Sequence, residues 1–197
     1  MIGASTARPR PTAPLALVVA LLVGATLATA SPVRADQDEP RLDVLFDALA
    51  EADDPADARR LESEIWLLWL RAPDEDSQRL MSAVQGAMAD GDAERALGLA
   101  DRLVELAPDY AEGWNKRATI LYVMGEHDAS VADIRETLAR EPRHFGAISG
   151  LGQIFLKRGE PGAALEAFEQ ALALSPASAQ ARAAVAFARA ALEKKKI

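Results

Sequence analysis

Apolar side chains recur at intervals of three and four along most of the chain from Ser77 onward, as on the buried stripe of an α-helix. Trp114, Ala118 and Leu121 make one such stripe, and Ile148, Leu151 and Phe155 another. Glycine and proline interrupt the stripes on a fixed period. Gly91, Gly125 and Gly159 are 34 residues apart, and so are Pro108, Pro142 and Pro176. Three further columns keep the same step: Val84, Ala118 and Gly152; Ala96, Ser130 and Ala164; Val104, Leu138 and Leu172. Five columns in one register define a repeat. Each unit reads as two antiparallel helices, A and B. Glycine sits where helix A stops, at a left-handed position that costs other residues a clash. Proline lies just beyond helix B, which it cannot continue. The small residues Ala118 with Ser130, and Gly152 with Ala164, let the two helices of a pair approach closely. Ile134 and Phe168 fill the space around them.

The period and the residues on it resemble the tetratricopeptide repeat. Trp114, Ala118, Gly125, Ser130, Ile134 and Pro142 fall on that family's consensus positions, as do Leu151, Gly152, Phe155, Gly159, Ala164, Phe168, Ala171 and Pro176. The unit from Ser77 to Tyr110 departs more, with Leu80, Ala87 and Ala100 where Trp, Tyr and Phe are usual, and Arg117 and Leu121 depart in the next. The resemblance implies an all-α, right-handed helix-turn-helix solenoid of about three units, at 77–110, 111–144 and 145–176. It also implies a concave groove lined by the A helices. The groove positions hold Met81, Gln85 and Met88, then Asn115, Thr119 and Tyr122, then Ser149, Gln153 and Leu156, preceded in the three units by Gln78, Glu112 and Gly146. Methionine adapts to irregular apolar partners, and Asn, Gln and Ser can bond a peptide backbone. The carboxylate clamp that some family members carry is missing: Met81, Gln85, Lys116, Gly146 and Gly150 stand in its place.

A solenoid needs its ends covered. Residues 177–197 are expected to form a C-terminal capping helix with Val185, Ala186 and Phe187 on its inner side and Lys194, Lys195 and Lys196 at its negative end. Residues 36–76 are expected to hold an acidic leader and a helical hairpin, a diverged repeat with Leu42, Leu45, Phe46 and Leu49 on its first helix and Asp54-Pro55 opening its second. Trp66 and Trp69 of that hairpin either pack on the first full unit or form an exposed binding patch.

The segment 1–35 reads as a signal peptide with its cleavage region, removed on export. Arg8 and Arg10 precede the uncharged run Leu15–Ala28, and Ala28-Thr29-Ala30 supplies a small-x-small site, with a second possible cut after Ala35. At 14 residues the run is short of the roughly 20 that span a bilayer. The expected location is the periplasm or the exterior, with an inner-membrane anchor through an uncleaved signal as the alternative. Seventeen arginines against five lysines fit a GC-rich bacterial source.

Charge is uneven. Residues 36–76 carry 14 acidic and 4 basic side chains, whereas residues 77–197 carry 16 and 15. The acidic end is a solvated face, a lure for a basic partner, or a cover for basic residues of the array, for which Lys116, Arg117, Arg143, Lys157 and Arg158 are candidates. Arg143 and His144 lie in a turn where they could meet a phosphate or carboxylate, or simply be solvated. A formal charge of −8 disfavours nucleic acid, which is bound by neutralising phosphates. The absence of cysteine and the presence of two histidines leave little for a metal or cofactor. His127 and His144 fall in different units, no nucleophile elbow or His-Glu-x-x-His pair occurs, and Glu62 and Glu64 sit on different helix faces. The expectation is therefore a non-enzymatic protein-interaction scaffold or adaptor, binding a client peptide or helix in its groove, with no cofactor, metal, nucleic acid, small-molecule substrate or membrane insertion after cleavage. The alternative is a structural subunit or assembly factor of an envelope complex that stacks through its helical ends, with Trp66 and Trp69 at one of them.

Overall fold

The structure is a computed structural model and describes residues 40–195. The segment read as a signal, both candidate cleavage sites, the expected leader up to Glu39 and the last two residues lie outside the described residues. Within them, α1 (Pro40–Glu51) and α2 (Pro55–Trp69) form a hairpin. Then follow α3 (Glu75–Ala89), α4 (Ala93–Leu106), α5 (Ala111–Met124), α6 (His127–Arg140), α7 (Phe145–Lys157), α8 (Pro161–Leu174) and α9 (Ala179–Lys194). Helices α3, α5 and α7 are the A helices of the three units, and α4, α6 and α8 the B helices. Helix α9 takes the A place of a fourth.

The repeat columns act as their chemistry predicts. Gly91, Gly125 and Gly159 have φ of 75°, 86° and 70°, the left-handed turn between A and B. Asp54, Asp74, Asp92 and Ser178 cap helices with their side chains. The small columns mark true close approaches: Ser130 Oγ donates to the Ala118 carbonyl at 2.7 Å, and a Cβ on Gly152 would lie 2.5 Å from the Phe168 ring. Successive pairs share apolar seams. Val84, Ala87, Ala96, Ala100 and Ile120 form the first, Ala118, Ile134, Ala147, Leu151 and Ile154 the next, and Ala164, Phe168, Val185 and Ala188 the last.

Both ends differ from expectation. Helix α9 buries Val185, but Ala186 and Phe187 face out, Phe187 being 65% exposed. A helix has two sides, and only the one against α8 is covered here. The hairpin does not pack its tryptophans on the helices of the first unit. Its core of Leu42, Leu49, Leu61, Ile65 and Trp69 closes on Ala177 and Phe145, and α1 meets α8. It thus lies along the edge where each B helix turns into the next A helix. Tyr110 Oη donates to the Trp69 carbonyl at 2.9 Å, Arg143 pairs with Asp43 at 2.8 Å, and Ser175 Oγ donates to Glu62 at 2.8 Å. These three anchors come from the turns that open the second unit, the third unit and α9. The geometry has a simple cause: those turns present polar groups and a half-open apolar layer at one edge, and the hairpin's apolar face has no neighbour on its own.

Candidate functional site

The A-helix face divides into a covered half and an open half. At the covered half, the N-terminal turns of α5 and α7 lie beneath α2. Glu112 and His144 are completely buried there. Glu112 Oε2 accepts from His144 Nε2 at 2.9 Å and from Asn115 Nδ2 at 2.8 Å, and Lys116 Nζ lies 2.8 Å from Oε1. His144 Nδ1 accepts the Ala147 N–H at 3.1 Å and so caps α7, which assigns the ring proton to Nε2, facing the carboxylate. The Trp69 ring stacks on the His144 ring at 4.0 Å, Trp66 meets it edge-on at 5.4 Å, and Lys116 sits 5.6 Å from the Trp66 centroid. Burial pushes the Glu112 carboxyl up, but the hydrogen bond from His144 Nε2–H and the charge of Lys116 outweigh it and hold the group below its ordinary value.

This cluster corrects the expectation for His144, which neither meets solvent nor is free to hold an anion. Two groove candidates are buried as well, Met81 among residues of its own unit and Asn115 at the covered edge of the cleft. Met81 is fully buried with Leu103, Ala107 and Tyr110, and Asn115 is spent on Glu112. Gln78 accepts the Ala72 N–H, tying the end of the hairpin to α3. The sequence carried no local sign that the hairpin would cover Glu112, Asn115 and His144. The histidine occupying a helix-cap position three residues before Ala147 was the one available hint.

The open half holds the remaining groove residues. Gln85, Thr119 and Gln153 are exposed, and Met88, Tyr122, Ser149 and Leu156 are half-buried. A cleft of about 210 Å³ opens between α5 and α7, lined by Asn115, Thr119, Tyr122, Gly146, Gly150 and Gln153. Ile134 and Ile154 form part of its floor, and Gly146 and Gly150 keep its α7 wall free of side chains.

The five basic candidates are not brought together. Arg117 binds Asp133 at 2.7 Å and Asp101 at 3.0 Å on the side of α5 facing α4 and α6, stacked over Trp114. Those partners raise its pKa against the opposing effect of burial. Arg158 pairs with Asp128 in the first turn of α6. Arg143 is held by Glu141 and Asp43, Lys116 by Glu112, and only Lys157 stands exposed in no ion pair among the described residues.

Antiparallel helix pairs on a 34-residue period, turned by left-handed glycines and presenting an A-helix groove, define a tetratricopeptide solenoid. The chain belongs to the tetratricopeptide repeat family, whose model matches residues 82–142 and 115–179. It is 39% identical over 142 residues to a TPR repeat-containing protein of Rhizobium etli, covering 72% of this chain and 70% of that one. In fold it is similar to the Sgt2 TPR domain from Aspergillus fumigatus, with a TM-score of 0.59 and 22% identity over 64% of this chain and 84% of that one. It is likewise similar to the MamA protein, with a TM-score of 0.55 and 18% identity over 78% and 81%. At these identities the structures speak to the fold alone. No helix among the described residues is long and apolar enough to cross a membrane.

Proposed function

We propose that the protein is a non-enzymatic scaffold that holds a segment of a client protein in the open half of its groove, and that it works outside the cytoplasm of a bacterium. The observation that carries the first part is the cleft between α5 and α7. Exposed Thr119 and Gln153 and half-buried Tyr122 surround a floor of small and apolar side chains there, a combination suited to a protruding side chain of a partner. Support for the second part is the composition of residues 1–30: an arginine-bearing start, a short apolar run and a small-x-small site. The stacking alternative loses its chief contacts, because Trp69 is buried and Trp66 lies between Phe145, His144 and Lys116 of its own chain.

Site-specific photocrosslinking in intact cells tests the groove. A photoreactive residue replacing Gln153 or Tyr122 should give a discrete adduct, and one replacing exposed Arg102 on α4 should give none. Equal adducts from all three positions would remove the groove as the client site. Recovery of the full chain in the cytoplasmic fraction, with its first 30 residues retained, would remove the export reading.

A further inference from the structure

The register that relates Gln85, Thr119 and Gln153 reaches one helix further. Phe187 of α9 holds the next place in that row, and Ala190 follows Met88, Tyr122 and Leu156 in the row beside it. Helix α9 packs on α8, beside the preceding B helix where an A helix belongs, and the repeat register carries the A-helix row onto it. On that face Phe187 is 65% exposed and Val123, one turn beyond Thr119, is 69% exposed. With half-buried Met88, Tyr122 and Leu156 they make an apolar band from four helices, and a band of this kind marks an interaction surface more often than scattered single residues do.

We infer that this band takes one amphipathic α-helix of a partner, laid across α3, α5, α7 and α9 with its apolar side down and its basic end over α3 and α5. The inference rests on the groove reading above and extends it to α9 and to the chemistry of the occupant. Three observations select that occupant.

The first is reach. Packed helices lie about 8–10 Å apart, so three steps from α3 to α9 span roughly 25–30 Å, or about 17–20 residues of helix at about 1.5 Å per residue. An apolar residue is then needed about every six or seven positions, close to a heptad.

The second is backbone chemistry. An extended segment needs partners for its own N–H and C=O groups along the groove. Thr119 Oγ1 already donates to the Asn115 carbonyl at 2.9 Å, and Asn115 is bound to Glu112. Gln85 and Gln153 are the exposed amides left on that row, too few for a strand, whereas a helix satisfies its own backbone.

The third is charge. At the rim where the A helices end, Asp90, Glu94 and Glu126 are exposed beside the first two units, and Lys157 and Lys194 beside the third unit and α9. A helix that is basic at one end and acidic at the other matches this rim in one direction and is repelled in the other.

The probe is a fluorescent 20-residue synthetic peptide with heptad-spaced leucines on one face, lysines in one half and glutamates in the other, titrated into the full mature chain. A control peptide has the same composition with its leucines spread around the helix. The expected results are binding at least tenfold tighter for the amphipathic peptide, a loss of at least tenfold in Phe187→Glu with unchanged helicity, and photocrosslinks from the lysine-rich end to α3 or α5. Equal binding of the two peptides, no effect of Phe187→Glu, or crosslinks from the lysine-rich end to α9 would overturn the inference. A Tyr122→Ala, Gln153→Ala double variant separates this from the groove reading. If it weakens binding while Phe187→Glu does not, the groove stands and the four-helix site falls; if neither variant matters, both fall.

Discussion

At the scale of single residues, the Glu112 carboxylate is the most consequential charge in the described part of the molecule, because it is buried and three donors meet it. A buried charge is tolerated only when paired, and removing one partner leaves the rest desolvated. Its pKa is held below the ordinary glutamate value of about 4.5. The lowered folded-state value sets the sign: the carboxylate's contribution to stability is complete above the unfolded value and is lost as pH falls through the folded one. Glu112→Gln keeps an acceptor for His144 but abandons Lys116, and should cost about 1–3 kcal/mol at pH 7. In urea titrations that gap should narrow as the pH drops from 5 towards 3, since the unfolded chain then takes up a proton at this position that the native carboxylate resists. A gap that stays constant over this range would mean that the charge does not matter. Nothing around Glu112 in the sequence distinguished it from an exposed groove residue. Its partner His144 lies 32 positions away, and the pair exists only because the turn before α7 is folded back over the first turn of α5.

At the scale of elements, the repeat helices were legible and the seat of the hairpin was not. A and B helices follow from local rules: apolar spacing, glycine at a left-handed turn, and Asp or Ser at the caps. Each rule acts within one or two turns of chain. The hairpin's own helices were equally visible, with Asp54-Pro55 starting the second. Where it docks depends instead on which surface of the array was left unsatisfied. Gly146 shows the fit. A Cβ there would lie 2.7 Å from the Trp66 ring, and that ring has little freedom to retreat, with Trp69, His144 and Phe145 at 5.3, 5.4 and 5.7 Å. One turn on, a Cβ at Gly150 would meet only Ile134 Cδ1 at 3.7 Å. Gly146→Ala should therefore cost about 1–3 kcal/mol through crowding at the α2–α7 contact. Gly150→Ala should be neutral or gain up to about 1 kcal/mol from helix propensity. Denaturant midpoints for the two variants decide the matter, and equal effects would deny that Trp66 sets the α7 wall.

At the scale of the whole described unit, the hairpin alters how a solenoid behaves. Repeats that touch only their neighbours can unfold piecewise, because no contact joins distant units. Here the anchors at Tyr110, Arg143 and Ser175 bind one hairpin to three successive turns. Unfolding should accordingly be one transition, with tryptophan fluorescence and far-ultraviolet circular dichroism giving the same midpoint. Trp69→Ala removes the ring stacked on His144 and should lower stability by about 3–5 kcal/mol, with the two probes then separating. Separate midpoints in the unaltered protein would show that the hairpin is a loosely held appendage.

What the amino-acid order determined alone was the repeat. Period, helix pairs, turn glycines and the face that each A helix turns inward are all encoded in residues close together in the chain. Only the tertiary structure decided how much of that face remains open. Whether Asn115 and Glu112 meet a partner or lie beneath the hairpin depends on contacts between distant segments, Glu112 with His144 and His144 with Trp69. Such contacts are chosen by the fit of one apolar surface to another, and no short stretch of sequence records that fit. The same holds for α9, where the register predicts a helix but only its packing on one side leaves Phe187 exposed.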